Sequence, residues 1–487
     1  MIQQKEKANK MKYRKLFFLI PAIALLSIPV SMAQEVWTLE ECVRHAVENN
    51  VEIRSALINE ELNKINTLQA RHDRYPSLNA SSNFGNNFGR TIDPATNQFR
   101  SQNLTFNSWS LNVSLPVFNG FAIANSIKQA ELQQQASAYE TKQVQDDIQL
   151  TVVTFYLNVL FAEDNLENAQ NQLEISTSQM ERMQRMIDAG AAPRGEIFDL
   201  QVQVALDEER VVMAQNAVNQ AMIQLKNLLV LDPTDDIVLD RPDLEVPESD
   251  PLLSLDFEVL YNRALETQSS IRGSELQIRA AEKGEKIAAG SMMPSLFIGG
   301  SLSTNYSSRA QEIDGFQTVL EEFPATINGD AAIIGIPNVV PNLSDQAYFD
   351  QLEANFGYGV GLTLSIPIYN NFRNRHNVQR AKLNTIRVQN QDELLRQQLR
   401  SNISQAQADA RAASKSYQAA QRALDASEMA LRNAERKLDA GTATAFELVN
   451  AQNVLNNSRN NVLQSRYDYI FKLKVIDYYL GNPITLD

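Results

Sequence analysis

The sequence predicts an α+β membrane protein made of two tandem structural repeats, each with two β-strands and long coiled-coil α-helices. Three observations carry this: a motif that recurs at a fixed spacing, a seven-residue apolar row, and strands of alternating character. The motif occupies residues 111–201 and again 362–452, 251 positions apart throughout. Each copy opens on a strand, Leu111-Asn-Val-Ser-Leu-Pro-Val-Phe-Asn119 or Leu362-Thr-Leu-Ser-Ile-Pro-Ile-Tyr-Asn370. Each then reaches a break, Asp188-Ala-Gly190 or Asp439-Ala-Gly441, and continues through Glu196 and Gln201 or Glu447 and Gln452. One offset held across turn, strand and charge means a duplicated structural unit.

Between strand and break, Val152, Val159, Leu166, Leu173, Met180 and Ile187 fall seven apart, and Ile403, Ala410, Tyr417, Leu424, Leu431 and Leu438 repeat the row. It resumes beyond the break in Ile197, Val204, Val211, Val218 and Leu225, and in Leu448, Leu455, Val462, Tyr469 and Ile476. A strict heptad over many turns specifies helices that supercoil left-handedly around neighbours. Two runs joined by Asp-Ala-Gly make an antiparallel helical hairpin with Gly after the C-cap. The helix before each break could span about 100 Å at ~1.5 Å per residue.

The remaining segments follow in order. Residues 1–33 read as a signal peptide, with Lys5, Lys7, Lys10, Lys12, Arg14 and Lys15 before a short apolar run and Ser31-Met-Ala33 at the cleavage site. Removal would take the net charge from −14 to −19, and a surface this acidic argues against nucleic acid as a partner. Residues 34–75 read as the first helix of repeat 1, with Thr38 and Glu41 at capping-box spacing. That helix recurs 218 positions on, over residues 256–293, where Ala46, Ile53 and Pro76 match Ala264, Ile271 and Pro294. Strands and an outer loop are expected over 76–118, the first long helix and hairpin over 119–230, and a Pro/Asp-rich connector over 231–255 with a short strand at Ile237-Val-Leu239. In repeat 2 the strands are expected over 294–369, the helix and hairpin over 370–480, and a tail over 481–487. Offsets of 218 and 251 differ by 33, so repeat 2 carries an insertion; residues 305–354, rich in Gly, Pro and Asn, read as a loop.

In the strands Trp109, Leu111, Val113, Leu115 and Val117 fall on one face, and Ser108, Ser110, Asn112 and Ser114 on the other. Such strands suit either a soluble sandwich, apolar face inward, or an outer-membrane barrel, apolar toward lipid and polar toward a wet lumen, and with an export signal the barrel is favoured. No apolar run is long enough for a membrane-spanning helix, so the strands must make any crossing. Four strands cannot close a barrel. Two chains would give eight strands and a filled interior; three give twelve and a pore. The competing reading is a non-conducting coiled-coil structural protein of the envelope. Cys42 can form no internal disulfide and reads as half-buried, and His45, His72 and His376 are scattered, so no cofactor, metal site or enzyme is expected.

These residues resemble the TolC-like outer membrane efflux protein family. The likeness rests on the duplicated order of helices and strands, the strand exits Ser-Leu-Pro-Val-Phe-Asn-Gly-Phe and Ser-Ile-Pro-Ile-Tyr-Asn-Asn-Phe, and the tip Gly441-x5-Glu-Leu-Val-Asn-Ala-Gln. It implies a homotrimer: a 12-stranded barrel in outer membrane lipid, continued by a periplasmic α-helical barrel. It also implies export together with a periplasmic adaptor (a membrane fusion protein) and an inner-membrane pump or transporter. A periplasmic gate is then expected at Glu447 and Asn450, with Glu196 and Arg194 holding the hairpins. Adaptor docking is expected at Gly190, Ala191, Ala192 and Pro193 and at Gly441, Thr442, Ala443 and Thr444. Asn450 stands where the family often has a second acid, and Ala443 where it has a basic residue.

Overall fold

The computed structural model describes residues 36–483 except 93–96, 102, 243–245, 247–250 and 328–329; the signal peptide reading lies outside the described residues. Repeat 1 begins with β1 (Val36–Trp37), α1 (Leu39–Asn49) and α2 (Val51–His72). The capping box forms: Thr38 Oγ1 accepts from the Glu41 N–H at 3.2 Å, and the Glu41 carboxylate accepts from the Thr38 N–H at 3.0 Å. The sequence reading has one helix here, and the chain breaks it at Asn50. With φ −62° and ψ 134°, Asn50 ends α1 and caps α2, its side chain accepting from the Glu52 N–H at 2.8 Å. Asparagine competes for nearby backbone donors, which makes it a better cap than helix interior.

Next come β2 (Ser77–Asn87), β3 (Arg90–Ile92), β4 (Phe99–Ser101), β5 (Leu104–Asn119), α3 (Ala122–Asp188) and α4 (Glu196–Leu229). The connector contributes β6 (Val238–Leu239), paired in parallel with β1, and α5 (Pro251–Ser254). Repeat 2 is α6 (Phe257–Thr267), α7 (Ser269–Gly290), β7 (Ser295–Ser307), β8 (Gln311–Ile327), β9 (Asp330–Asp345), α8 (Tyr348–Ala354), β10 (Gly357–Ser365), α9 (Arg373–Asp439) and α10 (Ala445–Leu480). The break between α6 and α7 falls at Gln268, the repeat counterpart of Asn50. α3 and α9 are each 67 residues long and begin and end 251 positions apart. Every residue of the heptad rows is buried or half-buried.

Four antiparallel strands form one open sheet in the order β10-β7-β5-β2. The register aligns Leu111 with Leu302 and Ala80, and Leu362 with Ile298, so one face is apolar across all four strands. Ser110 aligns with Ser303 and Ser81 on the opposite, polar face, where the Ser81 and Ser110 hydroxyls bond at 2.7 Å. Val117 departs from the simple alternation. A bulge there places Phe118 opposite Leu296, because Pro116 has no N–H to continue the ladder.

The insertion is structured, contrary to its reading as a loop. β8 and β9 form a separate two-stranded ribbon, and α8 follows. The ladder runs through Leu320↔Pro337 and Pro324↔Ile333, and a two-stranded ribbon tolerates such prolines because both its strands are edges. Ile313, Phe316, Leu320, Val339 and Leu343 lie exposed along it. At its base α8 packs against β7, where Gln351 Oε1 accepts from the Ser307 N–H at 2.9 Å and the Tyr348 ring packs at a tilt against Tyr306.

Strand passes to long helix through left-handed residues, Gly120 (φ 62°) and Phe121 (φ 63°) in repeat 1, Asn371 (φ 55°) and Phe372 (φ 58°) in repeat 2. Gly120 also meets α7: a Cβ there would lie 2.2 Å from the Gly290 carbonyl oxygen. The main core gathers α1, mid-α3, the end of α4 and the connector around Val152, Tyr156, Leu225 and Leu239. The Tyr156 hydroxyl donates to the Asp240 carbonyl at 2.6 Å, and Arg241 ion-pairs with Glu163 of α3 at 3.0 Å.

Cys42 is fully buried in this core rather than half-buried, and burial pushes its thiol up to about 12. A thiol that reacts only as thiolate should therefore stay silent in the folded protein, even at about pH 8.5 where a free cysteine is half ionised. Maleimide should label Cys42 fully in denaturant and slowly in the native state; stoichiometric native labelling within minutes would contradict this placement.

Candidate functional site: the helical hairpin tips

Both hairpins turn through the same backbone motif. Gly190 (φ 74°) and Gly441 (φ 71°) take the left-handed position after the helix end. The next N–H reaches back across the last turn, Ala191 to the Met186 carbonyl at 2.8 Å and Thr442 to Lys437 at 2.9 Å. These bonds satisfy carbonyls that the helix ends would leave orphaned.

The two tips restart differently. Thr444 caps α10, its hydroxyl accepting from the Glu447 N–H at 3.4 Å. Its counterpart Pro193 offers no cap. There the chain makes a further turn, with the Glu196 N–H donating to the Pro193 carbonyl at 3.3 Å, and α4 begins at Glu196.

Glu447 is an exposed acid in the first turn of α10, and Asn450 is exposed one turn further on. Glu196 is half-buried in the first turn of α4, and Arg194 is exposed just before it. Arg194 and Glu196 make no ion pair among the described residues. First-turn carboxylates also favour their own helices through the macrodipole. Gly190, Ala191, Pro193, Gly441, Thr442 and Thr444 are exposed, as are Phe198 and Phe446 beside them, and Ala443 is half-buried. Ala192 packs instead into a small core with Met183, Ile197, Leu200 and Ala445, which joins the two hairpins.

Above that core the seam turns polar, which the sequence reading missed. Asp207 is fully buried; Arg210 Nη1 donates to its Oδ1 at 2.7 Å and Gln203 Nε2 to both its oxygens at 3.0 Å. Asn453 of α10 donates to Gln203 Oε1 at 3.2 Å, so one chain of bonds runs from repeat 2 into repeat 1. The signal was available: Asp207 lies seven residues after Leu200 and seven before Ala214, a polar residue in an otherwise apolar seam. Its repeat counterpart is Ser458, so the ion pair belongs to the first hairpin alone. Among the described residues no group of His, Cys, Asp or Glu is arranged to hold a metal ion, and no helix is long and apolar enough to cross a membrane.

The family model for outer membrane efflux protein matches residues 42–229 and 260–482, both repeats nearly entire. The chain belongs to the outer membrane efflux protein family. It is 20% identical over 457 residues to outer membrane protein TolC of Vibrio cholerae, covering 93% of each chain. To TolC of Escherichia coli it is 22% identical over 471 residues, 95% of this chain and 86% of that one. Among solved structures, CusC superposes with a TM-score of 0.73 at 16% identity, covering 91% of this chain and 92% of that one. VceC of Vibrio cholerae superposes at 0.70 and 14%, covering 92% and 96%. As a member of the outer membrane efflux protein family the chain resides in the outer membrane, extends into the periplasm and serves as an efflux channel.

Removing Arg210 would leave a buried carboxylate without its cation. Arg210→Ala should lower the opening free energy of α4 amides over residues 203–214 by about 2 kcal/mol, the usual scale for a hydrogen bond to a charged group. Hydrogen–deuterium exchange reads this directly, and Arg210→Lys should lose less. Unchanged exchange in Arg210→Ala would show that the pair holds nothing.

Proposed function

We propose that the protein is one third of a passive trimeric conduit, the exit duct of a tripartite efflux pump or type I secretion system, gated at its hairpin tips. What supports the trimer is a seam that the single chain makes once and leaves unmade once. Inside the chain, repeat 1 meets repeat 2 through β5 on β7 and α3 on α7. The equivalent surfaces of the other two segments, β10 with α9 and β2 with α2, pair with no further element among the described residues. Leu132 on α3 and Ala280 on α7 are 8% and 3% exposed, whereas their counterparts Leu383 and Leu62 are 65% and 52% exposed. Burying such a leucine is worth about 2 kcal/mol, and further copies of the chain carry the matching surface. Beyond Ser365 the apolar Ile366, Ile368 and Tyr369 also stand exposed where β5 is still paired.

Applying the repeat offsets to the internal Leu111↔Leu302 pair places Leu362 opposite Phe84 of the partner subunit. Leu362→Cys combined with Phe84→Cys should give a reducible, covalently closed trimer in detergent, while Phe84→Cys with Leu364→Cys should not. A monomer that stays dissolved without detergent would end the proposal.

At the tips, three Glu447 carboxylates would converge on one axis, favouring cations and resisting tight closure by mutual repulsion. Glu447→Gln should weaken block by divalent or trivalent cations applied from the periplasmic side in single-channel recordings; unchanged block would remove Glu447 from the constriction. The exposed tips with Phe198 and Phe446 form the surface for a periplasmic adaptor, which couples the duct to an inner-membrane pump. Energy for transport comes from that partner.

A further inference from the structure

The seam between the two hairpins holds an amide that no protein group satisfies. Gln452 is 2% exposed, and neither its Oε1 nor its Nε2 has a hydrogen-bond partner. Gln179 Oε1 and Asn453 Oδ1, on the two sides of the same seam, are likewise buried and unmet. Gln452 follows Ala445 and Leu448 along one face of α10. Those two line a cavity of about 110 Å³ where α3, α4, α9 and α10 meet, walled by Met183, Leu200 and Leu438 together with the polar Gln179, Arg182 and Glu435. One residue on, Asn453 ties α10 to the Gln203–Asp207–Arg210 group. Polar bonds therefore hold the seam at one position and an unmet polar group opposes it at the next.

A partner subunit cannot reach Gln452, because the chain's own helices already bury it. Its repeat counterpart Gln201, on α4, is exposed. Gln452 does not line that cavity, and parting the hairpins opens its amide to solvent, which completes its bonds. Stranding a buried donor and acceptor favours any arrangement that frees them.

We propose that Gln452 is a built-in spring: it destabilises the packed arrangement of the two hairpins and biases the tips toward parting, while Asn453, Gln203, Asp207 and Arg210 act as the opposing latch. This rests on the tips being the gate, and it adds what sets the gate's balance. Gln452 acts through the seam and need not touch a transported molecule.

The test uses the full-length protein in detergent or nanodiscs. Gln452→Met keeps length and volume and removes the unmet polar atoms. It should slow hydrogen–deuterium exchange at the tips, over residues 445–455 and 179–200, about tenfold, the factor that ~1.4 kcal/mol makes. Gln452→Glu keeps the shape and adds a buried charge, so it should speed the same exchange. In bilayers, spontaneous opening should fall in the first variant and rise in the second. A residue that merely packs predicts faster exchange in both variants, and that result, or no change in either, overturns the proposal. Non-conducting trimers with the opposed exchange pattern would overturn the channel reading and leave the spring intact.

Discussion

Backbone hydrogen bonding in hydrocarbon is the constraint on which the rest depends. An N–H or C=O with no water and no partner costs several kcal/mol, so a membrane sheet must close on itself. This chain carries four such strands and leaves β2 and β10 as edges. An apolar outer face and a Ser/Asn/Gly inner face are useful only once those edges are paired. The helices repeat the incompleteness: α3 lies on α7, while the corresponding surface of α9 packs on no helix equivalent to α7 among the described residues.

Duplication explains how one sequence can satisfy this economically. Because the repeats are equivalent, a surface that works between repeat 1 and repeat 2 of one chain also works between repeat 2 and repeat 1 of the next. The strand-to-helix junction shows how closely equivalence is kept. Phe121 and Phe372 both adopt a left-handed conformation that costs an aromatic residue strain, and each stacks edge-on against the ring three residues earlier, Phe118 or Tyr369. Strain is retained in duplicate where the surrounding geometry requires it.

Much of this was legible in the sequence because periodicity reports burial directly. The row from Val152 to Ile187, the alternation through Trp109 and Leu111, and the Thr38–Glu41 box each name a face or an end, and each forms where it was read. Other features were hidden for physical reasons. The break at Asn50 interrupts a pattern that either one helix or two would satisfy. The β8–β9 ribbon is apolar on a surface that nothing among the described residues covers, so alternation and core could not be matched, and its prolines argued for a loop. Even so, the Asn328-Gly329 pair between apolar runs was a hairpin signal. Asp207 and Gln452 were passed over because a polar residue on a coiled-coil seam looks like noise until its burial is known.

The departures from equivalence at the tips have a consequence for the proposed gate. In the shaft the repeats share the heptad row but not its bulk: Val153, Tyr156 and Leu160 of α3 stand where α9 has Ser404, Gln407 and Arg411, and the connector covers repeat 1 there. At the tip the first hairpin has Pro193, Asp207 and Gln203 where the second has Thr444, Ser458 and Val454. The first hairpin thus carries the buried ion pair and an uncapped helix start. The second carries the good cap and the unmet amide. If the hairpins were identical, parting one from its neighbours would cost the same on both sides, and a ring of them would have no preferred line of opening. Unequal hairpins remove that degeneracy. On the proposed gate the seam yields at Gln452 before it yields at the Asn453–Gln203–Asp207–Arg210 group, and a shaft about 100 Å long separates that movement from the sheet at the far end.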